Sequence, residues 1–504
     1  MTKIITKTKE KTVLMKRNER KGLFSKASRL VAAVSVCALI LSGCTSGGSV
    51  VTTGKTETAN NTANNTTEET VKTMKIGVAS ACTNAPEDID MSGFTLTGFG
   101  NINRRYLGVH DDIEMSCMAI EMNGKKAAVI AADTLGWDKD LTDALRERVE
   151  KELSIPKDAL MFNASHTHSA FNTLTNTHGL GYPVKEYQDF FYETAFRVIK
   201  EAFEDLEDGE LYQGTVTANY VAISRRAIIN GVCYWQPSLK DPRSDKATVI
   251  KAVCGGKTKA VLFSFPCHPS TMNTNYLSAD YVGEARKVIE KEFEGAKAIF
   301  VQGCGGDIKT RVVNDGMTAF RATTFDDIRI YGERLANAVV RLCKGENKNL
   351  VMKKIEGDLD AKVVRFEIPL QEHKTTKEEY QKLAKSASDV LVEVYTWFYE
   401  NYDNLPTAIP YSVQRIDLGD EFSIFALEGE VVVEYDALVK ALVPDRDLLV
   451  AGYSNGEIGY ICVTRMYKEG GYEPERSCLY YGIPQGFVPE IETIILDHAK
   501  ELCD

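Results

Sequence analysis

From about residue 74 onward the chain alternates between two kinds of apolar pattern. Short, nearly continuous apolar runs have the length of buried strands: 127–133, 159–165, 260–268, 298–303, 422–430 and 448–456. Longer stretches repeat their apolar positions at helical spacing: 138–153, 187–206, 282–293, 330–342 and 377–400. Asp138 or Asp140 stands where a helix start needs a side-chain acceptor. Strand-like and helix-like segments therefore interleave, with no internal repeat. This predicts an α/β domain of layered, mixed sheet and helix.

The first 73 residues follow another pattern. Residues 1–29 are rich in Lys and Arg, and 30–41 read LVAAVSVCALIL. That apolar run is shorter than the roughly 20 residues a spanning helix needs. A basic region, a short apolar run and small residues read as an export signal over 1–43. Leu41-Ser42-Gly43-Cys44 resembles a bacterial lipobox, which implies acylation at Cys44 and anchoring to the outer face of a bacterial membrane. An uncleaved anchor or a short buried helix has the same length. Residues 44–73 are Thr, Asn, Gly and Ser with little to bury, the composition of a flexible tether. The expected domain is 74–504.

Charge narrows the partners. The chain carries −11 overall and its first 43 residues carry +8, leaving the remainder at −19. An acidic body argues against a nucleic-acid partner. Ten cysteines follow the tether without a C-x-x-C pair, so a thiolate zinc ribbon is not expected.

The chemically useful residues cluster just after apolar runs: His166 and His168, His268, Asp307 and Glu430. In layered α/β folds, sites gather at strand ends. Asn163-Ala164-Ser165-His166-Thr167-His168-Ser169 places two imidazoles on one face of an extended chain. Imidazole suits zinc, although hydrogen-bonded strand-end histidines share the pattern. His268, between Cys267 and Pro269, is a second candidate; alone it reads equally as a structural histidine. A catalytic zinc needs about three protein ligands and an open position. Which carboxylate joins two histidines is not readable among 71 Asp and Glu.

The motifs resemble the N-terminal catalytic domain of the neutral/alkaline non-lysosomal ceramidases. His166-Thr167-His168-Ser169 resembles that family's T-H-T-H-S-G-P-G segment. The stretch from His268 through Asn273-Thr274-Asn275 to Ser278-Ala279-Asp280 resembles its second histidine segment. Gln302-Gly303 through Gly306-Asp307-Ile308 resembles its Q-G-x-x-G-D loop, and Leu427-Glu428-Gly429-Glu430 its P-G-E segment. Ala451 to Gly456, Tyr460, Tyr467 and Tyr472-Glu473 resemble its late tyrosine stretch. The order is the family's, over most of 74–490.

By position the resemblance implies zinc held by His166, His268, Glu430 and Tyr460. It implies a reacting centre lined by His168 and Tyr472, with Arg225 (in Ile223-Ser224-Arg225-Arg226) near the scissile carbonyl. Glu430 also reads as a strand-end acid, Tyr460 as packing, and Arg225 as a surface ion-pair partner with Arg226 equally near. The implied activity is amide hydrolysis of ceramide or a related N-acyl lipid by zinc-activated water, with the membrane reached through the acyl anchor. Two departures stand out. Ala170-Phe171-Asn172 replaces the Gly-Pro-Gly, and the expected fold lacks the family's C-terminal sandwich domain. Two rival readings are a solute-binding lipoprotein of a transporter and an inactive ceramidase-like protein.

Overall fold

The structure is a computed structural model that describes residues 73–90, 93–346, 348–388 and 390–503. The expected export signal, the acylation site Cys44 and the tether up to Lys72 lie outside the described residues.

Two sheets form the centre. The larger runs from Lys297–Gln302 through Lys257–Phe265, Lys246–Cys254, Glu207–Thr217, Met74–Cys82, Glu114–Met122 and Lys125–Ala132 to Leu160–Ala164, with Lys353–Lys354 pairing Glu207–Thr217. Its two terminal pairings, Lys257–Phe265 with Lys297–Gln302 and Lys125–Ala132 with Leu160–Ala164, are parallel; the other pairings are antiparallel. The smaller sheet orders Leu359–Pro369, Ala408–Leu418, Phe422–Leu427 and Asp447–Ala451, with only the last pairing parallel.

Period-two alternation explains why these strands are almost wholly apolar: each face meets a different layer. Along Glu114–Met122, Met118, Ile120 and Met122 pack with Ile424 and Leu449 of the smaller sheet, whereas Met115, Cys117 and Ala119 pack with Leu145, Val149, Phe191 and Ile199 of the helices Lys139–Leu153 and Lys185–Glu204. Phe422, Ile424 and Ala426 face the larger sheet; Phe425 and Leu427 face Tyr435, Val439, Ile491 and Ile495 of the helices Glu434–Lys440 and Ile491–Glu501. The helices Asp280–Glu292 and Phe325–Lys344 cover the other half of the larger sheet through Val282, Ile289, Leu335 and Val339. The layers run helix, sheet, sheet, helix, an α/β fold with mixed sheets. No described helix is long and apolar enough to cross a membrane.

Local chemistry sets several boundaries. Asp138 accepts from Leu141 N at 3.2 Å and so starts the helix Lys139–Leu153, as its position predicts. The expected helix over 377–400 is instead two, Lys377–Ser386 and Val390–Glu400. Ala387 is extended (φ −71°, ψ 165°), in a Ser-Ala-Ser stretch where serine competes with the helix for backbone hydrogen bonds. The expected strand 422–430 stops at Leu427, because Gly429 turns at φ 76° before pairing resumes at Glu430–Val431. The run 448–456 leaves the sheet after Ala451 and turns at Tyr453 (φ 51°) and Asn455 (φ 65°).

The two sheets are stitched together at one end. Asn163 Nδ2 donates to Gly452 O at 2.8 Å and its Oδ1 accepts from Gln302 N at 2.7 Å. Isolated bridges join Asn163 to Ser454 and Gly303 to Ala451. The chain ends leaving these strands are therefore brought together.

The buried pair Asp133–Arg286 ties the end of Lys125–Ala132 to the helix Asp280–Glu292, at 3.1 and 2.5 Å, while Glu114 N donates to Asp133 at 3.0 Å. Asp133→Ala leaves a buried guanidinium unpaired, and is expected to lower stability by about 3–5 kcal/mol, read from denaturant unfolding.

Candidate metal centre and active site

His166 follows the strand Leu160–Ala164 in the left-handed region, at φ 65°. A non-glycine residue held there costs on the order of 1–3 kcal/mol. The turn directs its ring inward: Nδ1 lies 2.6 Å from Leu135 O. His268 follows the strand Lys257–Phe265, and its Nδ1 lies 2.8 Å from Gly305 O. A carbonyl only accepts, so each Nδ1 carries the proton and each Nε2 presents its lone pair in the neutral ring. Both Nε2 atoms face one oxygen, Oε2 of Glu430, at 3.2 Å from His166 and 2.9 Å from His268. Glu430 Oε1 accepts from Tyr481 Oη at 2.8 Å.

Tyr460 is register-paired with Glu430 in the short parallel pairing of Glu430–Val431 with Tyr460–Ile461. Its hydroxyl lies 3.5 Å from His268 Nε2 and accepts from Arg225 Nη2 at 2.8 Å. Arg225 donates from Nε to Glu473 at 2.9 Å, and Arg226 meets the other oxygen of Glu473 at 2.5 Å. Both arginines are buried, so neither is the surface ion-pair partner that the sequence left open. Arg225 reaches the site, and Arg226 turns away to Gly470 O at 2.8 Å.

His168 stands beside this group, its ring centroid 5.0 Å from that of His166 and 5.8 Å from that of His268. Both its ring nitrogens are shielded and, among the described residues, without a hydrogen-bond partner. Gly98, at φ 86°, makes room for it: a methyl there would lie 2.6 Å from His168 Nδ1. Arg104 fixes the backbone behind it, donating to His168 O and to Thr97 O, both at 2.6 Å, and also to Thr274 O. Tyr472 contacts Tyr460 edge to face at 5.6 Å.

The titration behaviour follows from this crowding. Burial, reinforced by the Arg225 charge, pulls His268 down to about 4. Burial, then the His166 and His268 rings, takes His168 well below the usual imidazole range. Burial pushes the Glu430 carboxyl up, but the adjoining imidazoles outweigh it and hold the group well below the ordinary carboxylate value. Burial raises the Tyr460 phenol well above its ordinary value against the pull of Arg225. Burial takes Lys309 down to about 8, with Arg225 acting in the same direction.

The donor set fits a divalent cation. With its Nδ1 committed to Gly305 O, a neutral His268 turns the Nε2 lone pair toward a carboxylate oxygen at 2.9 Å, and His166 Nε2 converges on the same oxygen. Three acceptors converging in this way form a set that a divalent cation can bind. Among the described residues, His166, His168 and His268 are also close enough to share an ion, their ligand atoms lying within 4.8 Å of one another. Two donor sets thus overlap on His166 and His268. One is completed by Glu430 and Tyr460, the other by His168.

All these side chains except His268 border one cavity of about 300 Å³, together with Phe99, Leu180, Trp235 and Lys309. The structure brings His166, His168, Arg225, His268, Glu430, Tyr460 and Tyr472 together; Cys44 lies outside the described residues. Sequence reasoning gave no role to Tyr481, Glu473 or Tyr453, which support Glu430, Arg225 and His268. Glu473 and Tyr453 sat inside quoted motifs, whereas no local pattern marked Tyr481. Asp307, one of the polar residues that follow apolar runs, accepts from Val433 N at 2.9 Å and ties its loop to the segment after Glu430.

Comparison with known proteins agrees with this architecture. Residues 75–328 match the family described as neutral/alkaline non-lysosomal ceramidase, N-terminal. The fold resembles the crystal structure of neutral ceramidase from Pseudomonas aeruginosa, with a TM-score of 0.66 and 16% identity over 85% of this chain and 74% of that one. It also resembles a structure titled as ceramidase complexed with C2, with a TM-score of 0.67 and 16% identity over 86% of this chain and 75% of that one. No curated protein sequence matches the chain. The chain belongs to the neutral/alkaline non-lysosomal ceramidase family.

Proposed function

We propose that this protein is a zinc-dependent amide hydrolase acting on ceramide or a related N-acyl lipid, with His166, His268, Glu430 and Tyr460 as the metal-holding side chains. The observation that carries this reading is the convergence of two Nε2 lone pairs on the Glu430 carboxylate, both rings pinned from behind by backbone carbonyls. Glu430 and Tyr460 are chosen over His168 because Glu430 already touches both imidazoles and Tyr460 is paired beside it. Bound zinc supplies Lewis acidity toward the amide carbonyl and an acidified water as nucleophile.

The chain's own groups divide the remaining work. Arg225 is held rigidly by Glu473 and lies against Trp235 (4.6 Å) and Tyr460. Its charge, with the Tyr472 hydroxyl, meets the negative charge that develops on the carbonyl oxygen. His168, with no partner for either nitrogen among the described residues, takes a proton from the nucleophile and returns it to the departing amine nitrogen. That second transfer matters because an amide anion is a poor leaving group.

Lipid as the substrate class is supported by the walls of the cavity: Phe99, Leu135, Leu180 and Trp235 supply apolar surface. Beside it, the hairpin of Ala222–Ile229 and Val232–Ser238 exposes Ile229, Val232, Tyr234 and Trp235. The solved ceramidase titled as complexed with C2 supports the same class. Acylation at Cys44 belongs to this reading, as it places the cavity near lipid.

The purified full chain is expected to carry one zinc by mass spectrometry and to hydrolyse a fluorescent N-acyl sphingosine or another N-acyl amide, with the activity abolished by chelator. Reversible binding without turnover would instead favour a solute-binding lipoprotein. His166→Ala and His268→Ala are each expected to lose at least nine-tenths of the metal, roughly what removing one of about four ligands does to a zinc site. His168→Ala is expected to retain the metal while turnover falls about 10²–10⁴-fold. Stoichiometric metal in both ligand variants would refute the assignment. Replacing Cys44 by Ala is expected to abolish acyl labelling and move the protein out of the membrane fraction.

A further inference from the structure

Among the described residues, one cation that lines the cavity makes no ion pair. Glu430 accepts from Tyr481 and faces the proposed metal position, and Arg225 is paired with Glu473. Lys309 differs. It comes from the short strand Ile308–Thr310, antiparallel to Ala222–Ile229, and lines the cavity. Its Nζ donates to Ser270 O at 2.6 Å, with Ser270 Oγ at 3.4 Å. Among the described residues no carboxylate makes an ion pair with it. The acid that acts on it from further away, Asp280, spends its oxygens on the backbone N–H groups of Thr271 (2.8 Å), Met272 (3.2 Å) and Tyr281 (2.7 Å).

An ammonium has three N–H donors and no acceptor. Ser270 occupies one well and a second weakly, so one remains for a ligand. An uncompensated charge beside Phe99, Leu180 and Trp235 is unfavourable until an anion joins it. Its location indicates which half of the substrate would carry that anion. His168 N donates to Pro269 O at 3.3 Å, and Pro269 adjoins Ser270. Ser270, on which Lys309 rests, thus follows a residue bonded to the His168 backbone, while the Lys309 strand itself runs beside Arg225, and the hydrolase reading puts the departing amine at His168.

We propose that Lys309 binds a carboxylate on the amine half of the substrate, so that the preferred substrate is an N-acyl amino acid rather than a neutral ceramide. This rests on the hydrolase reading above for the direction of the amide. Its binding component does not.

The test compares N-dodecanoylglycine with its methyl ester, below their micellar concentrations. Calorimetry on the chelator-treated full chain is expected to show the acid binding at least tenfold tighter than the ester. Lys309→Met should reduce that ratio to within twofold of one, and Lys309→Arg should keep most of it. Zinc-loaded enzyme should show the same preference in kcat/KM, carried mainly by KM. Equal binding of acid and ester by the unaltered protein overturns the proposal whatever the variants do, as does an acid preference that survives in Lys309→Met. If the binding preference holds while no substrate is cleaved, the carboxylate subsite stands and the hydrolase reading fails. If ceramide is cleaved and the acid is favoured in neither assay, the hydrolase reading stands and the subsite is lost.

Discussion

Two backbone carbonyls, Leu135 O and Gly305 O, set the chemistry of this protein. Each accepts from the Nδ1 of a histidine and so fixes both the tautomer and the direction of the ring. Without them the imidazoles could turn, and nothing would oblige two lone pairs to aim at one carboxylate oxygen. The remaining order of the site follows from that alignment. Tyr481 holds the far oxygen of Glu430, and Arg225 holds Tyr460 alongside. Arg225 is in turn held by a glutamate that a second arginine shares.

The fold exists to bring those carbonyls and rings to the same place. Leu135 and His166 follow neighbouring parallel strands of the larger sheet, His268 and Gly305 follow another parallel pair, and Glu430 lies just past the turn that ends the strand Phe422–Leu427 of the smaller sheet. Separate sheets do not guarantee that their strand ends meet. Asn163 supplies that guarantee by hydrogen-bonding to both Gln302 and Gly452 from one buried amide. Its position, three residues before His166, makes the stitch between layers and the first ring part of a single turn. The strained backbone of His166 is stabilised by the packing of both sheets around it.

The electrostatics of the cavity are uneven in an informative way. Burial penalises every charged group here, and most have a partner that offsets the penalty. His168 escapes by staying neutral, since burial and the neighbouring rings keep it far below its usual range. Glu457 escapes likewise: burial and then the Glu430 charge push its carboxyl well above the ordinary value. Lys309 is shifted toward neutrality only part of the way, to about 8, and among the described residues no carboxylate makes an ion pair with it. That cation, beside apolar walls, is the feature on which the proposed carboxylate subsite rests.

The sequence by itself determined the layered α/β class, the order of most strands and helices, and the short polar turns that carry the histidines. Those features follow from hydrophobic periodicity, which is a local property, so 138–153 and 282–293 fell within a residue or two of the observed helices. It did not separate the helices around Ala387 or stop the strand before Gly429, because those breaks depend on one or two residues inside an otherwise periodic run. For the site, residue types and their family-like order marked His166, His168, Arg225, His268, Glu430, Tyr460 and Tyr472. Tyr481 and Lys309 carried no local pattern, and Glu473 had a place but no role. Only the tertiary structure decided that Arg225 rather than Arg226 faces the site, that Tyr481 supports Glu430, and that Lys309 makes no ion pair among the described residues. Each of these is a matter of distance between residues far apart in the chain, from 51 positions (Tyr481 to Glu430) to 248 (Arg225 to Glu473). No periodicity along the sequence encodes such separations until packing of the two sheets fixes them.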